Sequence, residues 1–283
     1  MKIYDCFTFF NELDLLKIRL EELYDYVDYF VLVEMDKTHS GKEKKFYFEE
    51  NKKEFQKFLD KIIHIKVNCN IKKGFFEKHP ALLKNKIFNS FYNKFDLGGW
   101  RRENFQRNSI IRGLNSSKDE DLILVSDVDE IPSPEKFEKA AELLKKEDVK
   151  RIGFLQKMFL YYLNGYAQDN WIGTKATTYK KLKEEFNSMP QKLRVRKDFL
   201  KRMQLKDVIR LRKGGWHFSY LGNLKSRQKK IESFAEVKKI FMGDDFIKIG
   251  KKTTKINYVP INRNFPKYII RNKDLLKKRG LIK

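Results

Sequence analysis

The sequence predicts an α/β domain built on a central, mainly parallel sheet flanked by helices. Three observations carry that prediction. Short β-branched and aromatic runs alternate with stretches of helical period through residue 150. At 283 residues, 41% hydrophobic and 14% aromatic, the chain is long enough to bury a core and too apolar to be disordered. No repeat, low-complexity block or clear linker divides it, so residues 1–283 read as one domain with two halves, 1–150 and 151–283.

The elements follow in order. KIYDCFTFF reads as a first strand. Asn11 is a plausible N-cap, and Leu13, Leu16, Leu20 and Leu23 then recur at helical spacing, so 12–24 is an amphipathic helix. YFVLVEM (29–35) is a second buried strand, 49–59 looks helical, and KIIHIKV (61–67) is a third strand. WRRENFQRNSIIRGL (100–114) is a helix that stops near Gly113, and LILVS (122–126) is a fourth strand. Ser133, Pro134 and Glu135 supply an N-cap, an N1 proline and an acidic first turn for a helix over 134–147. Residues 151–165 read as strand, 170–179 and 213–223 as aromatic, glycine-rich loops, and the basic stretch 225–283 as a mostly helical elaboration.

Open sheets of this kind bind ligands beyond the carboxyl ends of their strands. Asn11 with Glu12, Glu34 through Lys37, and Asp127 through Glu130 each follow a strand and are expected along one rim. The last cluster is the most informative. LILVSDVDEIPSPE runs an apolar strand into two aspartates one residue apart. A second D-x-D, at 119–121, lies in a polar loop and reads as solvated. Asp127 and Asp129 would instead be partly desolvated and would repel each other, so they need a compensating cation. Their hard oxygens suit Mg²⁺ or Mn²⁺. The competing reading is a turn in which both carboxylates bond nearby backbone N–H groups.

Other chemistries find little support. HExxH, the Walker P-loop and GxGxxG are absent from the sequence. His64 and His79 read as structural, His39 lies in the loop DKTHSGK, and His217 sits among glycines and aromatics in GGWHFSY. Cys6 and Cys69 show no CxxC spacing, which excludes a disulfide framework and suggests a reducing compartment. The net charge is +24, from 62 Lys+Arg against 38 Asp+Glu, with clusters at 42–45, 194–202 and 225–230. Such a surface suits phosphate-bearing partners: anionic small substrates, an anionic membrane or nucleic acid. It is equally what a lysine-rich compositional bias would give. Nucleic acid is disfavoured, because no binding motif accompanies the charge. No signal-peptide h-region or apolar run of roughly 20 residues is present, so the expectation is a cytoplasmic protein with peripheral membrane contact at most.

Six segments in register carry a family resemblance. They are IYDCFTFFNELDLLKIRLEELYDYVDYFVLVE, T-x-S-G-K at 38–42, REN-x-QRN at 102–108, LVSDVDEIPSPE, W-x-GTKATTYK at 171–180 and GGWHFSYLG. Together, over roughly residues 3–270, they resemble glycosyltransferase family 17, the β-1,4-mannosyl-glycoprotein 4-β-N-acetylglucosaminyltransferases, in a shorter microbial form. The resemblance implies a GT-A-like fold, a divalent metal (Mn²⁺ or Mg²⁺), a UDP-sugar donor such as UDP-GlcNAc, a glycan acceptor and inversion at the anomeric carbon. It implies that Asp129 and His217 bind metal, and that Asp127 touches metal or ribose. Glu12 and Glu34 would border the uridine pocket. Arg102 and Arg107 would pair with the diphosphate or brace the aspartates. Lys225 and Arg227 would close over the phosphates, or be plain surface charge. An inverting transfer needs a carboxylate base, for which Glu130 and Asp169 are candidates. Asp169 serves equally well as a turn cap. A lipid-linked or lipopolysaccharide-type glycan is the expected acceptor. A metal-dependent phosphohydrolase using the same aspartates is a rival reading.

Overall fold

The computed structural model describes residues 1–71, 99–194, 208–222, 227, 230, 239–242, 244–249 and 252–283. Its centre is a mixed sheet in the order β3-β2-β1-β4-β7-β6-β9-β5. The first four members, β1 (Ile3–Phe9), β2 (Tyr29–Met35), β3 (Ile62–Val67) and β4 (Leu122–Asp127), run parallel to their neighbours. Both faces of β1, β2 and β4 are covered, so these strands are largely apolar, whereas the edge strand β3 is half-exposed. Side chains alternate between two cores. Phe7, Phe30 and Leu124 face the helix Leu13–Leu23, whereas Cys6, Val31 and Val125 face Ile110 and Leu114.

Beyond β4 the strand direction changes. β7 (Gly165–Thr178) lies antiparallel to β4 and to β6 (Arg151–Leu160). β6 pairs in parallel with β8 (Val208–Leu211) and β9 (Gly215–Ser219), and β9 meets the short β5 (Glu130–Pro132) antiparallel. Two register facts matter for function. Thr8 lies opposite Asp127, and Glu130 lies opposite His217. Gly215 makes the second possible. It adopts φ of +124° beside Pro132, where any Cβ would run into the Ile131 carbonyl.

Several elements differ from their sequence reading. The first helix is capped by Glu12 and not by Asn11. The Glu12 carboxylate turns back to accept the N–H groups of Phe10 and Asn11, away from the helix. The stretch read as helix 100–114 is α-helical over Gly99–Asn108 and tightens to 3₁₀ over Ser109–Gly113, where Gly113 packs directly on Val31. Residues 49–59 form a short helix, Tyr47–Glu50, and a kinked 3₁₀ segment, Lys52–Phe58. Ser133 precedes a 3₁₀ turn without a side-chain cap, and the α-helix begins only at Phe137.

The C-terminal stretch carries strands as well as helix among its described residues. Its described residues include an antiparallel sheet of β10 (Lys239–Met242), β11 (Phe246–Ile249) and β12 (Lys252–Lys255), and β13 (Asn257–Tyr258), which pairs with β7. Lys267–Arg271 and Lys273–Lys278 are helices there, and Arg227 and Lys230 are also helical. β-branched Ile and Thr among the lysines suit strands better than a helix. Among the described residues, no helix is long and apolar enough to cross a membrane.

Candidate active site

The site is built from below by a buried ion pair. Asp5 on β1 and Arg19 on the first helix are both fully buried. Arg19 Nε and Nη2 donate to the two Asp5 oxygens at 2.7 and 2.6 Å. Nη2 also reaches Ser126 Oγ, and Nη1 donates to the backbone carbonyls of Asp127, Val128 and Glu130 at 3.1, 3.3 and 3.0 Å. One guanidinium thus fixes the backbone turn that displays both aspartates. A buried charge is tolerated when its donors are satisfied in this way.

Asp127 emerges from that turn into a second cationic clamp. Its Oδ1 accepts from Thr8 Oγ1 at 2.9 Å and Arg107 Nη2 at 2.7 Å, and its Oδ2 accepts from Arg194 Nη2 at 3.2 Å. Burial acts to raise the pKa of this carboxyl, but the Arg107 and Arg194 charges outweigh it and hold the pKa well below the usual carboxylate range. Arg107 is itself steered by Glu103 and Gln191.

Asp129 has different company. Its Oδ2 accepts from Lys230 Nζ at 2.9 Å, and its Oδ1 lies 3.7 Å from His217 Nε2. Lys230 Nζ also lies 3.0 Å from Glu12 Oε1. Here too burial opposes ionisation, and the Lys230 and His217 charges overcome it, so Asp129 stays well below its ordinary pKa. The His217 ring packs against Trp171 with centroids 4.9 Å apart, and Trp171 Nε1 donates to Glu130 Oε1 at 3.0 Å. Arg194 holds the other Glu130 oxygen at 2.7 Å.

Above these groups lies a pocket of about 110 Å³, open to solvent. It lies at the carboxyl ends of β1, β2 and β4, where the strand order reverses direction from β1. Thr8, Glu12, Lys44, Arg107, Asp129 and Lys230 are among its lining residues. Gln106 ties the rim together, donating to the Phe9 and Val33 carbonyls and pairing with His39 Nε2.

The sequence-derived candidates therefore divide. Glu12, Arg107, Asp127 and Asp129 share the pocket, with His217 against Asp129. Glu34 is turned away from it and fully buried, accepting the Phe48 N–H and pairing with Lys44. Arg102 is also fully buried and donates to the His39 carbonyl, which makes it a brace for the rim loop. Glu130 lies beneath the floor with both oxygens engaged. Asp169 is exposed on β7, outside the pocket lining. Arg227 is buried against Asp244. Lys225 lies outside the described residues. Sequence reasoning missed the roles of Arg19, Arg194 and Lys230. For Arg19 a signal existed, since a charge on the apolar stripe of Leu16, Leu20 and Leu23 needs a buried partner.

The donor set fits a divalent ion with few protein ligands. Asp129 and His217 offer a carboxylate oxygen and an imidazole side by side. His217 presents Nε2 to the Asp129 carboxylate, and its Nδ1 is buried without a hydrogen-bond partner among the described residues. Asp127 is committed to guanidiniums. Among the described residues, no group of three or more His, Cys, Asp or Glu side chains converges on one point. Remaining positions would fall to water or ligand oxygens.

In open α/β sheets a pocket at the switch point is where ligands bind, and here it holds the acidic turn together with lysine and arginine side chains. The chain belongs to glycosyltransferase family 17, whose model matches residues 1–256. It is therefore a glycosyltransferase by family. No curated protein matches the sequence. Among solved structures it is similar to glucosyl-3-phosphoglycerate synthase of Mycobacterium tuberculosis, at 12% identity and a TM-score of 0.39 over 95% of this chain and 92% of that one. The same enzyme in complex with Mn²⁺, UDP-glucose and phosphoglyceric acid gives a TM-score of 0.38 at 12% identity, covering 95% and 91%. UDP-glucose pyrophosphorylase complexed with UDP-glucose aligns at 12% identity and a TM-score of 0.30, covering 63% of this chain and 76% of that one.

Proposed function

We propose that this protein is a metal-dependent, inverting glycosyltransferase that moves a sugar, GlcNAc by family, from a UDP-sugar to a glycan acceptor. The observation that carries this is the D-x-D turn, fixed by Arg19 at the floor of the switch-point pocket with His217 against its second aspartate. Asp129 and His217 would hold the divalent ion, which supplies a Lewis acid for charge growing on the departing diphosphate. Arg107 and Arg194 keep Asp127 ionised and aimed. Lys37 and Lys44 add positive charge to the pocket wall, which favours a diphosphate. Phe10 and the Thr38–His39 segment offer the wall for uridine.

Inversion requires the acceptor hydroxyl to attack from the face opposite the diphosphate, with a carboxylate in reach. Of the two candidates, Asp169 is exposed and near Trp171 in sequence, whereas Glu130 has both oxygens occupied. Asp169 is thus the candidate left free, and it would serve as base only for an acceptor held between β7 and the pocket. The +24 charge suits an acceptor on an anionic, lipid-linked glycan at the cytoplasmic face of a membrane.

The test is thermal stability with UDP plus Mn²⁺, UDP plus EDTA, and GDP plus Mn²⁺. Ligand that binds only the folded state must raise the melting temperature. A rise that needs both UDP and metal, and vanishes in Asp129→Asn, is the expected result. No rise with saturating UDP and Mn²⁺ sinks the donor assignment. A UDP-sugar screen that releases UDP, with no phosphate released from simple esters, then separates transfer from phosphohydrolysis.

A further inference from the structure

The charge arrangement at Asp129 carries a step beyond that reading and rests on it. Lys230 Nζ sits 2.9 Å from Asp129 Oδ2 and 3.0 Å from Glu12 Oε1, with 11% of its side chain exposed. Glu12 is prepared for this contact. Two backbone N–H groups fix its Oε2, which leaves Oε1 aimed at the ammonium. Lys230 is thus a cation seated on the carboxylate that would ligate the metal. By contrast, arginines on other elements serve Asp127.

Counting charge shows the consequence. Asp129 and Glu12 together contribute two negative charges. A divalent ion alone balances them. A divalent ion added beside Lys230 overfills the site and places like charges a few ångströms apart on one carboxylate. A nucleoside diphosphate brings further negative charge and relieves that excess. We propose that Lys230 is a tethered competitor for the metal position, so that Mn²⁺ or Mg²⁺ binds weakly to the free enzyme and well only together with the diphosphate. Lys230 then makes donor and metal loading mutually dependent. By linkage, each ligand must tighten the other by the same factor.

The experiment is Mn²⁺ titration of the full chain, read by electron paramagnetic resonance of free Mn²⁺, with and without UDP. The proteins are wild type, Lys230→Gln, Lys230→Met and Asp129→Asn. Two Lys230 variants of different polarity guard against a folding artefact, and circular dichroism melts verify each. Without UDP, both Lys230 variants are expected to bind Mn²⁺ about tenfold tighter than wild type or better, as removal of a like charge at this range predicts. UDP should tighten Mn²⁺ binding by a larger factor in wild type than in either variant. Should the Lys230 variants bind metal no tighter than wild type while Asp129→Asn loses it, the competitor role is wrong and the metal site stands. Should no protein bind Mn²⁺ with or without UDP, the metal site falls and the competitor role with it.

Discussion

The two aspartates of the D-x-D turn are two residues apart, yet they live in different electrostatic regimes. Asp127 is clamped by Arg107 and Arg194, which cannot lose their protons, and by Thr8. Asp129 is balanced by Lys230 on a long, flexible side chain and faces a histidine. One end of the turn is fastened to the fold, and the other carries groups that can exchange partners. The difference teaches that a D-x-D is not two copies of one ligand. Here the first aspartate is an architectural anion, and the second is held by partners that can be exchanged.

The largest effect should come from breaking what both aspartates share. Arg19→Met removes the guanidinium under the turn, strands Asp5 in the core and frees three carbonyls. Breaking a buried pair in this way costs about 3–5 kcal/mol. Urea denaturation should show that loss, and Asp5→Leu combined with Arg19→Met should recover part of it. A loss under 1 kcal/mol would mean the turn holds itself.

The comparison itself is tested by Asp127→Asn against Asp129→Asn. Asp127 keeps 37% of its side chain exposed, so solvent screening limits the stability cost of its change to about 1–3 kcal/mol. That cost should still exceed the cost at Asp129, because two guanidiniums, Arg107 and Arg194, lose a partner there against one ammonium, Lys230, at Asp129. Metal affinity should rank the other way, with Asp129→Asn losing far more. Equal rankings in both assays would erase the distinction between the two residues. A smaller effect is expected from Trp171→Phe. It keeps a ring against His217 but leaves Glu130 without its indole donor, worth about 1–2 kcal/mol in a melt.

What could be read in the sequence follows the same division. The strands β1, β2 and β4 and their rim were legible because buried parallel strands announce themselves as apolar runs, and carboxylates at their ends stand out. The partners were not legible. Lys230 lies 101 residues from Asp129, and Arg194 lies 67 residues from Asp127, so neither spacing nor local period joins them. His217 reaches the turn only because β9 pairs with β5, a register set by Gly215. Glu34 misled because its place at a strand end looked like rim, while Lys44 and the Phe48 N–H draw it inward. The C-terminal lysines suggested helix, but the β-branched Ile247, Ile249, Thr253 and Thr254 among them favour the strands β11 and β12.

The last and smallest effect sharpens the contrast through pH, measured by urea denaturation in EDTA. Both aspartates have folded pKa values depressed below the ordinary 3.8, so their stabilisation is full above that value and fades as pH falls through the depressed range. The stability gap between wild type and either D127N or D129N should therefore narrow below about pH 4. The alkaline side separates them. Burial acts to lower the Lys230 pKa, but Asp129 and Glu12 raise it well above the ordinary 10.5. Its contribution is full below 10.5 and declines as pH rises past that value, when the unfolded chain releases the proton first. Arginine partners do not titrate in this range. The D129N gap should thus shrink above pH 10.5 while the D127N gap holds, a difference only a lysine at the second aspartate and arginines at the first can produce.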